Sequence, residues 1–255
     1  MIKGLYSAFT AMAAAWQYQD MLANNIANST TVGFKREVGV QQSFADLLLS
    51  QQMPVPAPLS ARIQAVVGQI GSGTFVAEAS TDFARGTFQP TGGELDLALD
   101  NGFFAVEAPD GGVFYTRDGR FNRDANGDLV TSHGYYVLDD SGAHINLPPD
   151  AVSIASDGSI TSRAGDPVAK LQVVDFAPAQ LTRAGEAYFT STAPATFIDG
   201  GVRQGYLEAS NTDLVEEMTT LLAVERTYQA NQTLLSTLDG TLNQAAGTVG
   251  QFGAV

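Results

Sequence analysis

Apolar positions open the chain with a regular step. Ile2, Leu5, Phe9, Met12, Trp16, Gln19, Ala23 and Ile26 alternate three and four residues apart. That is the spacing of a heptad seam on one face of a long helix, with a polar interruption at Gln19. Alanines at 8, 11, 13, 14 and 15 flank it, and small flanks let helices approach closely. The run Asn28-Ser29-Thr30-Thr31 should stop the helix, because these side chains compete for backbone hydrogen bonds.

The other end mirrors this pattern. Leu214, Leu221, Tyr228, Leu235 and Leu242 recur every seven residues, and Met218, Leu222, Val224 and Leu238 widen the stripe. Ser210 or Asn211 is the expected N-cap, with Asp213, Glu216 and Glu217 complementing the helix dipole in the first turn. A helix over 212–243 would be about 48 Å long. Two such stripes at opposite ends of a chain are buried most simply by pairing with each other or against other copies.

Between them the period changes from helical to strand-like. Turn signals recur every eight to ten residues or so, from Asn101-Gly102 through Asp110-Gly111, Asp118-Gly119, Asn126-Gly127, His133-Gly134 and Ser141-Gly142 to Asp157-Gly158. Short alternating runs such as Leu95, Leu97, Leu99 lie between them. The expected fold class is α+β: long N- and C-terminal helices forming a coiled coil, with a central all-β domain of the meander barrel or sandwich kind. Residues 50–75 look like a connector: within them 50–58, with Pro54, Pro56 and Pro58 at alternate positions, cannot be a helix interior or central strand. They suggest a linker, or an arm laid on a partner. The expected segments are 1–34 (N-terminal helix), 35–75 (arm), 76–206 (β domain) and 207–255 (C-terminal helix).

Composition then removes whole classes of chemistry. Among 255 residues there is no cysteine and there are two histidines, His133 and His144. Thiol nucleophiles, disulfides, cysteine-ligated metals and three-histidine sites are excluded. The formal charge is −14, opposite in sign to a nucleic-acid footprint. The acid is uneven: residues 1–50 are neutral, 51–206 carry −9 and 207–255 carry −5. No apolar run reaches the ~20 residues of a membrane span. The opening MIKGLYSAFTAMAAAW continues into Gln17, Gln19, Asp20 and Asn24 with helical spacing, so no cleaved signal is expected.

The remaining candidates favour plain readings. Asp124, Asn126 and Asp128 resemble half of a calcium loop, but position 12 of that frame is Tyr135, so a hairpin turn is expected. Arg117, Arg120 and Arg123 lie close to Asp118, Asp124 and Asp128, the pattern of solvated ion pairs. Asp96 and Asp100 are only two carboxylates in an alternating strand, a weak basis for a glycosidase pair. No nucleophile elbow or phosphate loop is present.

With the helices located, two long motifs stand out. Asn24-Asn25-Ile26-Ala27-Asn28-Ser29-Thr30-Thr31-Val32-Gly33-Phe34-Lys35-Arg36 resembles the N-terminal signature of bacterial flagellar rod and hook proteins. Residues 205–218, including Leu207, Glu208, Ser210 and Asn211, and the continuation to Gln232 resemble the C-terminal signature of that family. Residues 95–111 and 115–138 are similar to its β domain. The resemblance implies a structural subunit of the flagellar basal-body rod, with features of both distal and proximal members. It would polymerise helically into a hollow, torque-transmitting shaft around an export channel, after delivery by the flagellar type III apparatus without a cleaved signal. Its implied partners are copies of itself and other axial proteins. No nucleic acid, membrane insertion, small-molecule substrate, cofactor or metal is implied. The expected assembly interface is Leu5, Phe9, Met12, Trp16, Ile26, Leu214, Met218, Leu221, Tyr228, Leu235 and Leu242, pairing within a subunit and touching its neighbours. The competing reading is a secreted acidic β-rich enzyme acting on polysaccharide, or a binding module, with helical anchoring ends. It needs a catalytic constellation that the sequence does not display.

Overall fold

A computed structural model describes residues 2–43, 47–53, 63–70, 73–77, 79–199 and 201–252. It is an α+β structure in which two terminal helices, α1 (Ile2–Ala27) and α2 (Leu214–Phe252), flank a region of short antiparallel strands. The chain divides into two compact units. One holds residues 1–24, 37–80 and 215–255; the other holds 25–36 and 81–214.

In the first unit the helices run antiparallel: Gly4 lies beside the Leu238 side chain, while Gln19 shares a cleft with Leu221, Glu225 and Tyr228. A strand ribbon, Gln41–Ser43 paired with Thr74–Val76, lies on α1. It comes close enough that a β-carbon on Gly73 would sit 2.3 Å from the Thr10 hydroxyl, and one on Gly39 would sit 3.1 Å from the Met21 sulfur. This close cover decides which face of α1 is buried. Ala8, Ala11, Ala15, Tyr18, Leu22 and Asn25 form the buried or half-buried stripe, itself spaced three and four residues apart. The seam expected through Phe9 and Trp16 is turned away: those rings are 63% and 64% exposed, and Leu5, Met12 and Ile26 are only half-buried. The ribbon's close approaches are made at Thr10 and Met21, beside the alanine stripe, and Ala11 and Ala15, expected as flanks, line a cleft shared with α2.

On α2 the expected register is closer to the structure. Leu221, Val224, Tyr228, Asn231, Leu235, Leu238 and Leu242 are half-buried in a continuous four-three repeat, and Glu217 begins it as a buried residue. Leu214 and Met218 fall outside this stripe and are exposed. The helix also runs beyond Gly240 and Gly247 to Phe252. In the segment read as an arm, Leu47–Met53 pairs antiparallel with Ile63–Ile70, Met53 opposite Ile63. Pro54, Pro56 and Pro58 lie outside the described residues.

The second unit is built on the strand Phe103–Glu107. One edge pairs with Val113–Thr116 along its length. The other is shared between Tyr136–Val137 and Val173–Asp175. From there the sheet extends to Phe121–Arg123 on one side and Leu181–Arg183 on the other. Phe103, Phe104, Ala105 and Val106 are all buried, as both faces of a central strand must be. Phe104 and Val106 enter a core with Leu97, Leu99, Leu129, Ile145 and Ile160, whereas Phe103 enters a smaller cluster with Val174, Phe176 and Phe189. Six of the seven anticipated Xaa-Gly turns place glycine at φ between 77° and 95°, the region that two-residue hairpins demand. Gly119 is the exception: its α-carbon is pressed against the Leu97 carbonyl, where a β-carbon would lie 1.7 Å from the oxygen.

Candidate functional site

The two terminal motifs meet in the second unit. After α1 ends, Gly33 takes φ +69°, and its N–H donates to the Glu208 carbonyl at 2.8 Å. A β-carbon there would lie 2.4 Å from backbone atoms of Arg117 and Asp118. Glycine is thus required twice over, by conformation and by space. The turn delivers Phe34 and Lys35 into the interior, where both are fully buried.

Lys35 faces Glu208 across 173 residues of sequence, with Nζ 2.7 Å from Oε1 and both side chains at 1% exposure or less. The carboxylate also accepts from the Gly86 N–H at 2.9 Å and from Arg117 Nη1 at 3.1 Å. Lys35 makes a further bond to the Ala84 carbonyl, 2.9 Å. One carboxylate therefore holds two cations out of water. Burial pushes the Lys35 ammonium and the Arg117 guanidinium below their usual pKa values, while Glu208 pulls each back up. Asp82 and Asp175 add negative charge nearby. Such a cluster gives little net stability against an apolar core, but losing one member strands the others.

Asn211 completes the clasp. Its Oδ1 accepts the Arg36 N–H at 2.8 Å, and its Nδ2 donates to the Asp82 and Ala84 carbonyls at 2.8 and 3.1 Å. The expected N-cap role is therefore not the one Asn211 has: it ties the residues after α1 to those before α2. Ser210 accepts the Thr212 N–H at 3.2 Å. Asp82 takes Arg36 Nε at 3.1 Å, and the Ala84 N–H holds its carboxyl below the usual range. Arg183 caps the group from outside, donating to the Lys35 carbonyl with its guanidinium over the Phe34 and Phe189 rings. Beneath, Phe103 packs edge-on against Phe83 and Phe189, which are tilted against each other, and Arg117 lies 5.0 Å over Phe103.

Of the motif residues singled out in sequence, Gly33, Phe34, Lys35, Glu208 and Asn211 are thus brought together, with buried Leu207 pairing its strand to Gln89. Asn25 and Asn28 are buried at the end of α1, where Asn28 accepts from the Thr31 hydroxyl; Asn24 and Ala27 are exposed. Arg117 corrects the expectation of a solvated ion pair. Its partner Glu208 is 91 residues away and invisible to local spacing. Arg120 does pair locally with Asp118 at 3.4 Å. The Asp124 carboxylate accepts the Asn126 and Asp128 N–H groups, both at 2.8 Å, to form the hairpin turn. Asp96 accepts the Thr91 hydroxyl and Asp100 pairs with Arg203. His133 meets the Tyr188 hydroxyl and His144 meets Glu107. These side chains are engaged in holding loops and strands, and the Lys35–Glu208–Arg117 centre of the clasp is sealed from solvent.

Comparison with known proteins assigns the same three regions. Residues 5–35 match the family described as "Flagella basal body rod protein", residues 100–162 the "Flagellar hook protein FlgE/F/G D1 domain", and residues 203–248 the "Flagellar basal body rod FlgEFG protein C-terminal". Each contributes one charge to the clasp: Lys35, Arg117 and Glu208 respectively. The chain is 35% identical to the flagellar basal-body rod protein FlgG of Agrobacterium fabrum, over 93% of this chain and 96% of that one. It is also 35% identical to FlgG of Bacillus subtilis, over 96% and 98%. With the flagellar basal-body rod protein FlgF of Caulobacter vibrioides it shares 33% identity over the full length of both. The chain belongs to the flagellar basal-body rod protein family, and is a structural subunit rather than an enzyme.

Proposed function

We propose that the chain polymerises helically into the hollow, torque-transmitting shaft of the rod, with α1 and α2 paired as an antiparallel coiled coil around the export channel. Its partners are copies of itself and other axial proteins, and it is delivered by the flagellar type III apparatus without a cleaved signal. In this reading residues 35–75 form an arm between the N-terminal helix and the β-rich body. The observation that carries it is the outward aromatic face of α1, where Phe9 and Trp16 stand mostly in water. A helix that conceals its alanines and displays its largest rings has its second partner elsewhere. Contacts of that kind that do not close build filaments.

The test compares the full chain with residues 25–214 alone, which hold the β-rich unit (25–36 and 81–214) together with residues 37–80. Sedimentation at rising concentration should show self-association of the full chain and a monomer for the truncated one. Leu221→Asp, on the half-buried stripe of α2, should block association while the β-rich unit melts unchanged. A full chain that stays monomeric at high concentration with ordered helices would overturn the reading.

A further inference from the structure

The first unit carries a recess as well as a projecting face. Between α1, the strand ribbon and α2 lies an open cleft of about 570 Å³, lined mostly by small residues such as Ala11, Ala15, Gly39, Thr74 and Ala223, with Tyr18 among them, and by no charged side chain. It exists because alanine on one helix faces alanine and threonine on the other. Clefts of this size hold aromatic groups. The projecting face lies elsewhere on α1. At 3.6 residues per turn, Phe9 and Trp16 share one direction, about 140° from the mean direction of Ala11, Ala15 and Tyr18.

We propose that Trp16 of one copy, with Phe9 beside it, inserts into this cleft of a second copy. The proposal rests on the rod reading and specifies its contact. Three observations commit the cleft to a second copy. The cleft lining and the two rings are uncharged, and the charge on the projecting face, exposed Asp20, sits one turn from Trp16 where it can stay in water at the rim. Recess and projection lie on opposing faces, so each docking leaves one of each free, the arrangement that propagates rather than closes. And the rings are substantial: Tyr6, Phe9 and Trp16, each over half exposed, present roughly 350 Å² on the scale of aromatic side chains, a large share of the roughly 800 Å² per partner of a stable interface.

Trp16 is the only tryptophan, so its fluorescence reports the contact directly. In the full chain, self-association should shift its emission to the blue. Trp16→Ala keeps the cleft and Ala223→Phe fills it; each should raise the concentration needed for association by about thirtyfold, the effect of losing an aromatic hot spot. Mixed, the two variants should form a discrete two-chain species and nothing longer, since one supplies only the ring and the other only the cleft. Far-UV circular dichroism checks that both keep their helices, and Trp16→Phe and Ala223→Ser should associate normally. Emission unchanged on association, wild-type association by Trp16→Ala, or free indole filling the cleft without competing would overturn the proposal and leave the rod reading standing. A wild-type chain that never associates would overturn both.

Discussion

Lys35 and Glu208 form an ion pair of 2.7 Å in which neither side chain touches water. Arg117 approaches the second carboxylate oxygen at 3.1 Å, so the acid is the hub and the bases are its spokes. The order of mutational damage follows from that asymmetry.

Glu208→Ala leaves two buried cations unpaired and should cost roughly 3–5 kcal/mol. At 2–4 °C per kcal/mol, the melting temperature of the β-rich unit should fall by roughly 6–20 °C. Lys35→Met should cost less, because Arg117 and the Gly86 N–H still satisfy the carboxylate. Calorimetry of the two variants gives the ranking, and equal losses would refute the hub description.

Asn211 separates the effect of shape from that of hydrogen bonding. Asn211→Ala removes three bonds and should cost about 2 kcal/mol. Asn211→Asp keeps the shape but turns an acceptor toward the Asp82 and Ala84 carbonyls, and should be worse than alanine in a urea titration.

Gly33→Ala puts a β-carbon where Arg117 and Asp118 backbone already lies, at a φ that alanine disfavours. The expected result is an unlatched N-terminal motif, read as new protease cleavage between Asn28 and Arg36 in a chain whose sheet is otherwise intact.

Acid should loosen the clasp through Asp82. Its pKa is lowered on folding, first by the Ala84 N–H and then by Arg36. A depressed carboxylate stabilises the fold above its unfolded value of 3.8, and that contribution disappears as pH falls through the lower folded value. Asp82 is largely solvated, so the effect is small. The stability gap between wild type and Asp82→Asn should be present at pH 6 and shrink as pH is lowered past 3.8 and on through the lower folded value.

Much of the architecture could be read in the chain because its cues are local. The termination of α1 at Asn28, the Asp-Gly and Asn-Gly hairpins and the seven-residue repeat of Leu221, Tyr228 and Leu235 each depend on neighbours within a turn or two. The face of α1 could not be read this way. A three-four repeat runs through Phe9 and Trp16 and another through Ala8, Ala11 and Ala15, and which is covered depends on a ribbon of residues 41–43 and 74–76. The clasp was half visible. Its motif residues were singled out by resemblance, but the Lys35–Glu208–Arg117 pairing spans three distant segments. A charge set directly beside apolar residues, as in Phe34-Lys35 and Leu207-Glu208, was the available sign that these ions are buried.

The clasp also imposes an order in time. Lys35 lacks its direct ion-pair partner until Glu208 has been made, or has emerged, behind it. A chain that appears N-terminus first must keep its first motif in water while the strands between assemble. The latch then closes only on a nearly complete molecule, so a chain cut short before Glu208 leaves its N-terminal segment undocked and open to proteolysis.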